Sequence, residues 1–244
     1  MIGLTSITFR NKNVREIINF AKRAKLDGIE WGSDVHVREG DIVTASRVRG
    51  LTISAGLQVL CYGTYYRLGD NQNFAPYLDS AIALGAKKMR IWAGGQSPRD
   101  VSAVVRAEMV HEAQKIAQQT QKRNIEISFE YHRKTLTENK ESALQLIHEV
   151  NEPNVSLYWQ SNPDLTETEK WQEIDLLKPY IHTVHCFYWT APNIRHLMRD
   201  GENNWREYIR RIGKDAVYLL EFTPGNSTSN AFDDVSILKE LLNT

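Results

Sequence analysis

The chain is poor in cysteine, carries no net charge and has no long apolar run. Its 244 residues include two cysteines, Cys61 and Cys186. Two thiols are too few for a disulfide framework in a chain this long, so both are expected free and buried, in a reducing cytoplasm. Lys+Arg and Asp+Glu both count 30. That balance leaves no basic footprint for nucleic acid and nothing to draw the chain to an anionic membrane. No apolar stretch approaches the roughly 20 residues of a membrane helix. The start, Met1-Ile2-Gly3-Leu4-Thr5, lacks the basic-then-apolar order of a signal peptide. No glycine-rich phosphate turn follows the first strand-like run, and no low-complexity linker divides the chain.

What is present is an alternation of strand-like and helix-like segments. Strands are expected at 2–9, 28–31, 57–62, 88–92, 125–130, 154–159, 181–187 and 216–222. Helices are expected at 13–26, 41–55, 74–84, 102–122, 137–150 (with Thr137 as a candidate cap), 167–178, 205–212 and 234–242. Gly85 is placed to end the third helix in the left-handed conformation. Eight such units predict a single α/β domain over residues 1–244, a (β/α)₈ TIM barrel. A doubly wound open sheet, the structural alternative, needs fewer units.

In a barrel the strand tips and following loops carry the chemistry. The run Ile125-Glu-Ile-Ser-Phe-Glu-Tyr-His132 begins as an alternating strand and ends in a carboxylate and an imidazole. Later strands end at His185 and Glu221, so Glu130, His185 and Glu221 are expected to converge on one pocket. These are hard or borderline ligands suited to Mg²⁺, Mn²⁺, Co²⁺ or Zn²⁺, and Gln160 adds a carbonyl oxygen. Without a metal they would be rim carboxylates held by Arg or Lys, beside a hydrogen-bonded core histidine. Four of the six tryptophans, Trp31, Trp92, Trp159 and Trp189, fall at strand tips. Each alone caps a core; together they suggest an aromatic-walled pocket for a sugar or polyol. His36, Arg67, Trp92, His132, Asn162 and Trp189 are the candidate substrate contacts. Arg195 and Arg199, with Gly225-Asn226-Ser227, occupy the loops where barrels often hold phosphate, although exposed arginines are mostly solvated surface.

Glu130 in Ser-Phe-Glu-Tyr-His, the tip Tyr-Trp-Gln-Ser-Asn, His185 in His-Thr-Val-His and Glu221 in Leu-Leu-Glu-Phe resemble the xylose isomerase-like barrel superfamily. Gly28-Ile-Glu-Trp-Gly-Ser-Asp-Val-His-Val37 and Tyr62-Gly-Thr-Tyr-Tyr-Arg-Leu-Gly69 are similar to its sugar phosphate isomerase/epimerase-like members. The resemblance runs over nearly the whole chain. It implies a divalent metal held by a glutamate, an aspartate, a histidine and a second glutamate. Glu130, His185 and Glu221 match three of these places, and Gln160 stands at the aspartate's. The implied activity is isomerisation or epimerisation of a small sugar or sugar phosphate through an enediolate, with Glu130 and Glu221 as acid and base. The alternatives are a metal-dependent dehydratase or lyase, and a catalytically silent sugar-binding barrel, which Gln160 makes plausible. The superfamily's DNA-repair endonucleases fit less well, since they need more histidine ligands. Barrels of this kind often pair, so a homodimer is an expectation.

Overall fold

The computed structural model describes residues 1–243. Eight parallel strands close a barrel. In chain order these are β1 (Ile2–Thr5), β2 (Gly28–Gly32), β3 (Gln58–Arg67), β4 (Lys88–Trp92), β5 (Glu126–Glu130), β6 (Val155–Gln160), β7 (Ile181–Cys186) and, after a small hairpin, β10 (Val217–Leu220). The hairpin pairs β8 (Tyr188–Thr190) with β9 (Ile194–His196). Around the barrel stand α1 (Val14–Arg23), α2 (Ile42–Ser54), α3 (Ala75–Leu84), α4 (Ala103–Gln121), α5 (Lys140–Val150), α6 (Glu167–Leu177), α7 (Glu202–Ile212) and α8 (Thr228–Asn243). No helix among the described residues is long and apolar enough to cross a membrane.

Local chemistry sets several boundaries. Asn13 and Glu16 form a reciprocal capping box at the start of α1. Gly85 ends α3 at φ 73°, a conformation glycine accepts at little cost. The first strand is shorter than expected: residues 6–9 tighten into a 3₁₀ turn, and the Ser6 hydroxyl accepts from the Gly32 amide. Thr137 is not the cap of α5; Asn139 accepts from the Ser142 amide instead. The Thr137 hydroxyl donates to the Glu130 carbonyl, which ties down the tip of β5. The hairpin of β8 and β9 has no counterpart among the expected elements.

Strand alternation divides the side chains into two populations. Ile29, Trp31, Met89, Ile91, Ile127, Phe129 and their equivalents face the helices and form the main apolar core. The inward face is largely polar. A small apolar plug of Cys61, Tyr158 and Leu219 fills part of the interior, and both cysteines are free and buried. Near the barrel floor Lys88 donates to Thr183 at 2.7 Å and pairs with Glu126 at 3.2 Å. Burial would raise the Glu126 carboxyl, but His182, Lys88 and Ser156 outweigh it and hold the group at about 2.

A depressed carboxyl stabilises the fold above its unfolded value and stops doing so as pH falls toward its folded one. Glu126→Gln should therefore cost about 1–2 kcal/mol at pH 7, after discounting for partial exposure. Denaturant unfolding at pH 7 and pH 3 checks this. The gap between wild type and variant should shrink at the lower pH, and an unchanged gap would contradict the assignment.

Candidate active site

The tips of β5, β6 and β7, with Glu221 just beyond β10, bring Glu130, Gln160, His185 and Glu221 together. Nδ1 of His185 lies 3.4 Å from Gln160 Oε1, 3.5 Å from Glu221 Oε2 and 3.9 Å from Glu130 Oε1. The opposite ring nitrogen, Nε2, faces Glu30 Oε1 at 3.7 Å. Carboxylates thus face both ring nitrogens, and Nε2 makes no hydrogen bond.

Sequence reasoning missed two members of this cluster, Glu30 on β2 and Arg90 on β4. Both are 1% exposed. The Arg90 guanidinium bonds Glu130 directly and lies 3.8 Å from Glu30. The signal was present in the strand alternation: Arg90 shares a face with Trp92 in Lys-Met-Arg-Ile-Trp, and Glu30 sits between the apolar Ile29 and Trp31. A charge at mid-strand in a barrel points inward.

Burial alone would raise the Glu30 carboxyl, but His185 and Arg90 outweigh it and hold it at about 2. Glu221 goes the other way. Burial raises it, Glu30 adds to the rise, and His185 and Arg90 offset only part. Glu30, Glu130 and Glu221 thus gather around one guanidinium, and the carboxylates outnumber it.

Oxygen and nitrogen ligands sharing a small divalent ion at about 2.1 Å stand roughly 3.0–3.5 Å apart. Glu221 and Gln160 already meet that spacing from His185, and Glu130 is a small movement away. Among the described residues no group of His, Cys, Asp and Glu alone is drawn closely enough to hold a metal. Two carboxylates, an imidazole and the Gln160 amide oxygen are nevertheless the donor types that hold divalent ions.

Above these groups opens a cavity of about 280 Å³. Tyr65 and Trp92 stack on one side, and Trp189 and Phe222 lie against each other on the other. Asn162 and His132 also line it. His132 packs on Trp92 with ring centroids 4.4 Å apart. Its Nδ1 lies 2.8 Å from the Arg133 carbonyl. A carbonyl only accepts, so Nδ1 carries the proton and Nε2 keeps its lone pair in the neutral ring. Burial, with Arg133, Arg90 and His185 nearby, lowers the His132 pKa below the usual imidazole value.

Two expected contacts lie elsewhere. His36 is buried behind β2, between the Ser6 hydroxyl and the Lys12 carbonyl, and packs on Trp31. It wires the turn after β1 to β2 and does not line the cavity. Arg67 stacks on Trp92, 4.6 Å from the ring centroid, but borders a neighbouring depression. Trp31 and Trp159 are fully buried among the helices.

The chain matches the model of the xylose isomerase-like TIM barrel over residues 18–241, and it belongs to that family. It is 25% identical over 202 residues to a 3-dehydroshikimate dehydratase of Bacillus anthracis, covering 75% of this chain and 70% of that protein. Among solved structures it resembles the probable 3-DHS dehydratase of Bacillus anthracis (TM-score 0.83, 20% identity, 98% of each chain). It also resembles a D-allulose 3-epimerase from Methylomonas sp. (TM-score 0.75, 16% identity, 98% and 97% of the chains). A third resemblance is to the IOLI protein with a bound zinc atom (TM-score 0.72, 13% identity, 98% and 95%). The family is an enzyme superfamily whose members include metal-binding proteins.

Gly63 makes room for the buried ion pair. A Cβ there would lie 2.6 Å from Glu30 Oε1 and 3.2 Å from Arg90 Nη2. Gly63→Ala should destabilise the fold by about 1–3 kcal/mol through overpacking. Gly50→Ala, inside α2 with nothing within 4 Å, should stabilise by about 0.5–1 kcal/mol. Chemical denaturation of both variants checks the contrast; a neutral Gly63→Ala would mean that the pair is loosely held.

Proposed function

We propose that this chain is a metal-dependent dehydratase that removes water from a cyclic β-hydroxy ketone. The observation that carries this reading is His132, an imidazole fixed as its Nδ1–H tautomer at the edge of the cavity, beside the Glu130, His185 and Glu221 cluster. A lone pair held on Nε2 by a backbone hydrogen bond is a general base that needs no prior deprotonation at neutral pH. The similarity to a 3-dehydroshikimate dehydratase supports the same class of reaction.

Glu130, Gln160, His185 and Glu221 would hold the ion. When bound, a divalent cation supplies Lewis-acid stabilisation of negative charge on the substrate's carbonyl oxygen. The rest of the work falls to side chains. Nε2 of His132 takes the proton from the carbon next to the carbonyl, and the C–H electron pair moves into a carbon–carbon double bond. The resulting imidazolium returns that proton to the departing β-hydroxyl. One C–O bond breaks, one water leaves, and His132 is regenerated. Arg90 and Glu30 hold Glu130 and His185 in place, and the aromatic walls keep bulk water away.

Epimerisation is the second reading, supported by the paired carboxylates Glu130 and Glu221. Such a reaction needs two groups that exchange protons on opposite faces of one carbon. Glu130 is tied to a buried guanidinium, and a carboxylate in a buried ion pair gives up its charge at high cost. That favours elimination by one base over exchange between two.

His132→Asn should lower kcat on 3-dehydroshikimate by roughly 10²–10⁴-fold, the usual worth of a general base, while leaving divalent-ion binding intact. Mass spectrometry of product one water lighter reads the first effect, and calorimetry the second. An unchanged rate in His132→Asn would remove the base assignment. A ketone that exchanges its α-proton in D₂O but never loses water would favour the epimerase.

A further inference from the structure

We propose that Arg195, held by the β8–β9 hairpin against two rings that line the cavity, binds one carboxylate of the substrate while the substrate's ring sits between the aromatic walls. The proposal rests on the reading of this cavity as the place where a cyclic hydroxy ketone is dehydrated.

Arg195 lies directly opposite Trp189 in the hairpin register. Its guanidinium stands 5.0 Å from the Trp189 ring centroid and 4.7 Å from that of Phe222, and both rings line the cavity. Nη1 donates to Asn226 Oδ1 at 3.0 Å, so the side chain is held in place. Phe222 follows Glu221 directly at φ 51°. That left-handed conformation is costly for a bulky residue and marks a position the surrounding structure enforces.

Charge separates Arg195 from its neighbours. Arg10 is paired with Asp34 at 2.6 Å, and Arg133 with Asp164 at 2.8 Å. Arg195 has no carboxylate within ion-pair distance among the described residues. Burial lowers its pKa below the ordinary guanidinium value, and the field of Glu221 offsets this only in part. A half-buried, oriented guanidinium without a counter-ion gains from an anion brought by a ligand. The single positive charge of Arg195 matches a monoanion, and a phosphate dianion would draw on a second cation.

The strands place the walls suitably for a flat ring. Trp92 ends β4 beside Tyr65 of β3, and Trp189 and Phe222 follow β7 and β10, across the barrel from them. A planar carboxylate on a planar ring fills such a slot with its charge at the hairpin end.

Titration of tryptophan fluorescence with benzoate, benzamide and phenyl phosphate tests this, because Trp92 and Trp189 report on the cavity. Benzoate should bind roughly ten- to a hundredfold more tightly than benzamide, the range of a charge-assisted contact. Arg195→Gln should abolish that preference, Arg195→Lys should keep part of it, and Arg99→Gln at an exposed site should leave it unchanged. Equal binding of benzoate and benzamide to the wild type overturns the proposal, as does an intact preference in Arg195→Gln. Tighter binding of phenyl phosphate than of benzoate overturns the carboxylate assignment in favour of a phosphate. These probes do not react, so the two claims fail separately. An intact benzoate preference with no dehydration of any hydroxy ketone sinks the dehydratase reading alone, and dehydration without the preference sinks the subsite alone.

Discussion

Arg90 carries a full positive charge into the centre of the barrel, and the strands around it are arranged to meet that charge. Glu130 binds the guanidinium directly and Glu30 faces it from β2. An isolated ion at this depth would cost several kcal/mol, so the pair and its neighbours form or fail together. Gly63 has no side chain because that volume belongs to Glu30 and Arg90. His185 faces Glu30 on one side and Glu130, Gln160 and Glu221 on the other. The position of one guanidinium thus reaches the cavity through two carboxylates and an imidazole.

Charge accounting links this interior to chemistry. Three carboxylates and one guanidinium leave the cluster negative, and Glu221, least compensated, is the group whose pKa rises. A divalent ion held by Glu130, Gln160, His185 and Glu221 would neutralise the set. His132 stands apart from it, with its proton parked against a carbonyl and its lone pair free. Under the proposed function, a bound cation would stabilise an oxygen anion and His132 would serve as the neutral base, the two parts an elimination next to a carbonyl requires.

The barrel was legible because period-2 strands and period-3.6 helices alternate with short connections, which only a few architectures accommodate. The convergence of Glu130, Gln160, His185 and Glu221 followed from their place at strand tips. Glu30 and Arg90 were not found, since both sit one layer below the rim inside runs that read as ordinary buried strands. His36 misled for the opposite reason. Its position just past a strand tip suggested a ligand contact, yet hydrogen bonds to Ser6 and Lys12 turn it into a structural tie. Thr137 looked like a helix cap, but tertiary contact with the Glu130 carbonyl claimed its hydroxyl. The hairpin of β8 and β9 escaped notice because three-residue strands carry almost no periodic signal.

The most direct test of this account is a calorimetric titration of Mn²⁺ into the wild type, His185→Ala and Gln160→Asp. The account predicts one ion per chain in the wild type, loss of binding in His185→Ala, and tighter binding in Gln160→Asp as a neutral donor becomes a charged one. Absence of binding in both the wild type and Gln160→Asp would contradict it, and would leave Arg90 as the cation around which the site works.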